Sequence, residues 1–511
     1  MNAAILRLPG GGIAHVLGVV AIAVVVVLLG LVLGLGTAIG LGIYLVILVA
    51  LVAGIIVFLA NSGLASFRHG ANGAFWTAIM LAGAVNFMTT FAPVRLNGLM
   101  ELWLLCMVPL ILMALPQALR SSPALRWMAL LFVLAAVVAV LGTALSPYRH
   151  SKAAAYQFAY NLKWPLMLAL GFRVCWQQAD HARLRWLSLV YAALAASFLL
   201  LELGAPGLFR SLARNVTEFQ HTSNPLLGGL GWRMTGPFVH SSVLAYFSGF
   251  FLLLLAVQWR GGVISLWRMV VFGMPLWLLV MASGQMQEAL ATVLGIGLVV
   301  LSFRARSLWG IAGWLTVATL LAAVVILTFV GPDRLYDVAS EWGLVTGVKS
   351  IVSARPVLYA DSFKVANDFW PLGSGLGTFG GVGAQMFNRE LFSALGYGTF
   401  WWYRMDIFLL DTYWPNFIAE FGWIGFLLLA AIPVLAMILS LYRMIKAPTI
   451  QVKVFWGYAF CGQFLPLMVS LTSPIYSDPD MSAFALMMLG MAHMYEAKVK
   501  AQARQSQGQH A

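Results

Sequence analysis

The sequence predicts an all-α polytopic membrane protein, with about 12 to 14 transmembrane helices and a large extracytoplasmic loop containing short helices. Three observations predict it. The chain of 511 residues is 61% hydrophobic and only 9% charged, with a mean hydropathy of +0.90, far from the composition of a soluble domain. Its apolar residues fall in runs long enough to cross a bilayer, about 20 residues each. Lys and Arg collect in the short links at alternate ends of those runs, which the positive-inside rule assigns to the cytoplasm.

In chain order the runs lie at 14–36, 38–60, 74–92, 98–117, 125–146, 154–174 and 184–204, then at 237–258, 264–282, 287–303, 308–330, 416–441, 454–473 and 480–496. The first is too long for a signal-peptide core, and no small-residue cleavage site leads into a soluble domain, so it reads as a spanning helix. If the helices alternate, Arg7, Arg68, Arg120 with Arg126, Arg173 with Arg183 and Arg185, Arg260 with Arg268, Arg304 with Arg306, and Arg443 with Lys446 and Lys453 share one side. Both termini then lie in the cytoplasm. Arg95, Arg149 and Lys152 are exceptions on the other side. Most of the formal charge of +13 is therefore topological and calls for no nucleic-acid partner. The 3 cysteines, Cys106, Cys175 and Cys461, sit in or beside apolar runs without metal-ligand spacing. The organisation is thus N-terminal helices (1–204), an extracytoplasmic segment (205–236), central helices (237–330), a large outer loop (331–415), and C-terminal helices with a basic tail (416–511).

Four stretches carry polar groups worth weighing. In DTYWPNFIAEFGWIG, Asp411 to Gly425, the residues Thr412, Asn416 and Glu420 recur every four positions, a polar stripe on one helix face. Asp411 and Thr412 stand at the expected cap and Pro415 in the first turn. Asp411 reads equally as a functional carboxylate at a helix mouth or as a cap facing water. In RMTGPFVHSS, Arg233 precedes a turn at Gly236 and an expected helix start at Pro237. A guanidinium near a helix N-terminus suits an anion, and an arginine anchored among lipid headgroups fits the same residues. His240 follows one turn later, more often a satisfied polar group than a ligand. SGQMQEA, Ser283 to Ala289, is a short outer turn that sets Gln285, Gln287 and Glu288 at the membrane edge.

The fourth stretch is the outer loop, which holds Arg334, Lys349, Arg355, Lys364, Arg389 and Arg404 with Trp370, Phe379, Trp401, Trp402, Tyr403 and Trp414 close by. Its aromatic content argues against disorder and for short helices covering a cavity. Gly375, Gly377 and Gly380 form a GxGxxG pattern, but without a βαβ setting it signals a tight turn, not a dinucleotide site. No His-Glu-x-x-His, Walker or nucleophile-elbow pattern is present, and no metal or cofactor is expected.

In this order the pieces resemble the O-antigen ligase and Wzy-type polysaccharide polymerase family. RMTGPFVHSSVLA is similar to the family's R-x-x-G-x-F segment. Ala354-Arg355 followed by PLGSGLGTF is similar to its arginine and Pro-x-x-G-x-G elements, and DTYWPNFIAEFGWIG matches the spacing of its H-N-x9-G-x-x-G signature. The matches cover roughly 230–430. Asp411 stands where the ligases have His, closer to the polymerase branch. Ser283-Gly284-Gln285 stands where many relatives have Ser-Arg, so one phosphate-binding arginine is missing; Arg334 or Arg404 is a candidate to replace it.

The resemblance implies a metal-independent glycosyltransferase of the bacterial inner membrane. It would polymerise undecaprenyl-pyrophosphate-linked repeat units at the periplasmic face, among membrane lipids, and would work with a chain-length regulator and a flippase of the same pathway. The expected catalytic groups are Asp411, Arg233 and Arg355. The expected substrate-binding groups are His240, Arg334, Arg404, Thr412, Asn416, Glu420 and Gln285. The alternatives are an O-antigen ligase or protein O-oligosaccharyltransferase and, more distantly, a glycolipid flippase or transporter.

Overall fold

The computed structural model describes residues 73–91, 98–161, 163–213, 215–216, 223–227, 231–305, 307–310, 312–313, 354–406, 409–410 and 412–508. The expected spans at 14–36 and 38–60, and most of the one at 308–330, lie outside them. Among the described residues the regular structure is helical, with no β-strand. The first half contains α1 (Gly73–Phe91), α2 (Gly98–Ser121), α3 (Pro123–Leu145), α4 (Ser151–Asn161), α5 (Lys163–Leu170), α6 (Ala179–Gly204) and α7 (Pro206–Leu212). The second begins with α8 (Ser241–Arg260), α9 (Leu266–Ser283) and α10 (Met286–Arg304). The large loop folds into α11 (Ala354–Asp368), α12 (Val382–Phe387), α13 (Glu390–Ala394) and α14 (Trp401–Arg404), and the chain closes with α15 (Trp414–Ile445), α16 (Ile450–Val469) and α17 (Pro479–Gly508).

Nine of the described helices are long and apolar enough to cross a membrane: α1, α2, α3, α6, α8, α9, α10, α15 and α16. The chain is a multi-pass all-α membrane protein. α8, α16 and the first half of α17 are buried nearly all round and form the bundle centre, as helices apolar on every face do. α2, α3 and α9 expose Leu105, Leu112, Trp127 and Trp267 at 62% or more, a surface that suits lipid and not water.

Two expected spans are built otherwise. The run at 154–174 is broken into α4 and α5, because Pro165 has no amide hydrogen to continue the helical ladder back to Asn161. Polar Gln157, Asn161 and Lys163 are buried around the break, and Lys163 pairs with Glu101 of α2 at 2.9 Å. The run at 480–496 is the inner part of a longer helix, α17, that continues into the basic tail.

The basic ends meet on one face. Arg443 and Lys500 both reach Glu496, Lys453 donates to the Phe303 carbonyl, and Gln258 donates to the His181 carbonyl. The opposite face carries α4, the α9–α10 turn, the loop helices and the link from α16 to α17. There the loop builds its own aromatic core: Phe379, Phe392, Tyr397, Phe400 and Trp402 are buried against one another.

Candidate functional site

The face opposite the basic ends has two polar centres. The first is organised by the turn between α9 and α10. Gly284 adopts the left-handed conformation (φ 66°) that lets the chain reverse in so few residues. A Cβ added there would lie 2.8 Å from Arg233 Cγ. Gly284 is thus the surface over which the Arg233 stem passes. The backbone beside Arg233 is fixed to the same turn, with the Met234 amide donating to the Ala282 carbonyl at 3.1 Å and the Asn224 side-chain amide donating to Met281 and Ala282 at 3.0 Å each.

α8 starts at Ser241, not at Pro237: residues 235–240 form a turn, and His240 is the N-cap. Its Nδ1 accepts from the Ser242 amide at 3.1 Å, so the imidazole is committed to ending the helix. Gln285, the N-cap of α10, donates to the Ser241 hydroxyl at 2.6 Å. The N-termini of α8 and α10 therefore converge beside Arg233, and their exposed amides and dipoles favour an anion between them. Glu288, buried in the first turn of α10, partly offsets that field. Glu202, at the end of α6, holds the turn from the other side: its carboxylate accepts from the amides of Thr235 at 3.1 Å and Gly236 at 2.9 Å.

The second centre lies where α15 begins. The helix starts at Trp414 with Tyr413 as its N-cap and no capping side chain, so Thr412 does not cap it, and Pro415 stands in the first turn as expected. Thr412, Asn416 and Glu420 are all buried. Gly422 is non-helical (φ 61°), and the kink leaves nearby carbonyls open: Ala419 accepts from the Ser374 amide and Glu420 from the Gly375 amide, at 2.9 and 3.1 Å. The Glu420 carboxylate accepts from the amides of Thr378 and Phe379 at 2.9 and 3.0 Å. Asn416, its amide oriented to satisfy its neighbours, donates to Glu420 at 3.2 Å and accepts from Gly381 and from Gln157. Gln157 also donates to Asn161 Oδ1 at 3.0 Å and accepts from the Gly383 amide at 2.9 Å.

This network straps the glycine turn onto α3, α4 and α15. The amides of irregular backbone at this depth need protein partners, since lipid offers none. Glu420, fully buried, therefore fastens the loop. The GxGxxG segment is the tight turn that closeness demands: Gly377 has φ 71°, and a Cβ there would lie 2.5 Å from the Ala153 backbone.

Beside the strap is a narrow cleft lined by Tyr160, Asn161, Gly380, Gly381, Leu410, Thr412, Tyr413, Asn416, Phe417, Pro474 and Ser477. The link from α16 to α17 joins this cleft to the first centre. Gln287 donates to the Met468 carbonyl and accepts from Thr472. Tyr359 donates to the Leu471 carbonyl at 2.6 Å, and Trp414 to the Ser470 hydroxyl at 3.0 Å. Arg355 lies one turn before Tyr359 on α11. Burial pushes the Tyr359 hydroxyl up, and the nearby Arg355 charge draws it down. Beyond the cleft, burial and the neighbouring Asp480 push the carboxyl of Asp478 up, against the pull of Lys163.

Of the expected site residues, Arg233, His240 and Gln285 meet at the first centre, and Thr412 and Asn416 at the cleft. Arg404 stands apart, exposed at the end of α14; among the described residues no hydrogen bond or ion pair joins its side chain to either centre. Asp411 and Arg334 lie outside the described residues, though Leu410 and Thr412, on either side of Asp411, both line the cleft. The buried loop aromatics Phe379 and Trp402, and buried Trp414, are spent on packing and are not surfaces for sugars. Sequence reasoning missed Glu202, Gln157, Asn161, Lys163, Glu101 and Asn224. The buried polar groups in the run 154–174 were a readable signal; Glu202, at the end of an apolar run, was a weaker one.

No protein-family model matches the chain, and a search of the curated proteins gives no match.

Proposed function

We propose that the chain is a membrane glycan polymerase that joins lipid-pyrophosphate-linked repeat units, of the undecaprenyl type, at the face carrying the large loop. The observation that supports this best is the pairing of two chemistries on one face: a cationic centre where Arg233 meets two helix N-termini, and a neutral polar cleft beside the segment that contains Asp411. In the reaction the acceptor hydroxyl attacks the anomeric carbon of the donor. The new C–O bond forms as the bond to the pyrophosphate oxygen breaks, the hydroxyl proton passes to the Asp411 carboxylate, and the lipid pyrophosphate leaves with its electron pair. Arg233 and Arg355 neutralise the leaving group, for which a planar guanidinium fork is well shaped. Asp411 is the base. The family resemblance supports the inner membrane as the location.

The experiment is polymer formation by the purified protein given the lipid-pyrophosphate repeat unit without nucleotide or added metal, products read by size. Wild type should yield a ladder; Asp411→Asn, Arg233→Ala and Arg355→Ala should yield none while remaining folded. A ladder from any variant equal to that of wild type removes that residue from the mechanism.

A second reading, a glycolipid flippase or transporter, is favoured by the broken α4–α5 helix and by the non-helical Gly422 in α15, since interrupted helices line many transport sites. Movement of labelled lipid-linked glycan across proteoliposomes with no new glycosidic bond would support it over the polymerase.

A further inference from the structure

We propose that the basic face carries a binding site for one anionic phospholipid of the adjoining leaflet, with its phosphate between Arg185 of α6 and Arg268 of α9 and an acyl chain along the outer side of α9. The site stands on the face opposite the two polar centres and does not depend on the polymerase reading. α6 and α9 pack against one another, and Arg185 and Arg268, near the starts of the two helices, lie close enough for their charges to repel. Neither has a carboxylate to offset it. Among the described residues the basic face holds two acids, Asp180 and Glu496. Asp180 is taken by Arg183 at 2.9 Å and by the Gln177 amide at 2.8 Å, and Glu496 by Arg443 and Lys500.

The helix dipole does not account for this pair. Cations belong at helix C-termini, which is where Arg260, Arg304 and Arg443 stand, in the last turns of α8, α10 and α15. Arg268 instead lies in the first turn of α9, whose start is fixed by the Ser265 hydroxyl accepting from the Arg268 amide at 3.3 Å, and no acid stands in that turn. Arg185 lies in the second turn of α6. Two guanidiniums thus meet beside the positive end of the α9 dipole, and a phosphate relieves all three. What makes it a lipid phosphate is the surface that continues from it. Trp267, Val270, Val271, Met274 and Leu278 follow along one side of α9, each exposed by 42% or more. From Trp267 to Leu278 the stripe runs about 16 Å at about 1.5 Å per residue, the depth of one leaflet of a hydrocarbon core about 30 Å thick. A basic pocket between two helices, continued by such a stripe, fits a headgroup and its chain together.

The test uses the full chain in nanodiscs of neutral phosphatidylcholine, into which phosphatidylglycerol or further phosphatidylcholine with brominated acyl chains is titrated. Bromine quenches a tryptophan it touches, and the quenching lost in Trp267→Phe is the share that reports on this site. Wild type should prefer the brominated phosphatidylglycerol by about tenfold or more, since each cation beside an anionic lipid is worth roughly fivefold. Arg185→Gln and Arg268→Gln should each lower that preference about fivefold and together abolish it. Arg504→Gln, which removes the same charge from the exposed end of α17, should leave it unchanged. Phosphatidylglycerol should also raise the thermal midpoint of wild type, as a ligand of the folded state does, and not that of the double variant. Equal quenching by the two lipids in wild type overturns the proposal. So does an equal loss in Arg504→Gln, which would make the preference a property of the whole face. A midpoint raised as much by inorganic phosphate as by phosphatidylglycerol would make this a site for free phosphate and overturn the lipid assignment.

Discussion

Glu202 is the residue whose loss most directly tests how Arg233 is held. Its carboxylate, 4% exposed, accepts the amides of Thr235 and Gly236 at 3.1 and 2.9 Å, one turn of backbone away from Arg233. Glu202→Ala leaves two buried amides without that acceptor. Each costs about 1–3 kcal/mol, so the native turn is weakened by about 2–6 kcal/mol relative to a rearranged one, while the apolar bundle around it keeps its packing. If Arg233 stabilises the departing pyrophosphate only from the native turn, the lower bound of about 2 kcal/mol already slows transfer by roughly 30-fold. Glu202→Gln keeps one acceptor oxygen and should lose about half of that free energy, a slowing of roughly fivefold. The assay is the initial rate of polymer formation by purified protein, with the thermal unfolding midpoint recorded alongside. Reduced rates in the order Ala below Gln below wild type, with midpoints close to one another, are expected. A Glu202→Ala enzyme with the wild-type rate would show that the turn is held by its other contacts.

Two further expectations concern stability. Gly377→Ala would put a Cβ about where the Ala153 backbone stands, 2.5 Å away, at a φ of 71°; overpacking of about 1–3 kcal/mol should loosen the strap, seen as faster proteolysis within 371–413, and unchanged cleavage would mean the turn has room to spare. Asp478 is pushed up by burial, then by the charges of Asp480 and Glu101, with Lys163 opposing. A raised acid favours the folded state fully below the unfolded value of about 3.9, and that contribution is lost as pH rises through the folded value. The wild-type midpoint should therefore fall toward alkaline pH and Asp478→Asn should flatten the slope; parallel pH profiles would show that Asp478 does not set it.

The helical bundle was legible because one physical fact, about 20 apolar residues per crossing, is written locally in the sequence. The turn at Gly284 was legible for the same reason, since the signal and the structure occupy the same few residues. The failures are non-local. Nothing near Pro237 says that His240 will cap α8 three residues later, because the choice depends on Thr235 and Gly236 being tied to Glu202 across the bundle. The stripe of Thr412, Asn416 and Glu420 was legible as one helix face, but the partners of that face were not. Glu420 is committed to the amides of a loop more than 40 positions earlier in the chain, a pairing that helical periodicity cannot encode. The break at Pro165 is the opposite case: a proline inside an apolar run with Gln157, Asn161 and Lys163 nearby carried a local signal for a discontinuous helix.

The separation of the two centres bears on the chemistry proposed for them. On the polymerase reading, a guanidinium placed inside the neutral cleft would hold the departing pyrophosphate beside the nascent glycan, and the product would leave slowly. Keeping Arg233 at the α8–α10 junction, apart from the neutral groups beside α4, would let each product be released by its own set of contacts. The link from α16 to α17 is the element that touches both. Gln287 and Tyr359 bind its first half, while Pro474 and Ser477 line the cleft in its second. If a ligand at the cationic end shifts this link by one hydrogen bond, the cleft wall moves with it, and the polymerase reading then expects binding at one centre to alter the other. Such coupling must be reciprocal: undecaprenyl pyrophosphate should change the affinity for the oligosaccharide of the repeat unit by the same factor as the oligosaccharide changes the affinity for the lipid. Thr472→Val, which cuts the bond to Gln287 without entering either centre, should bring that factor toward unity.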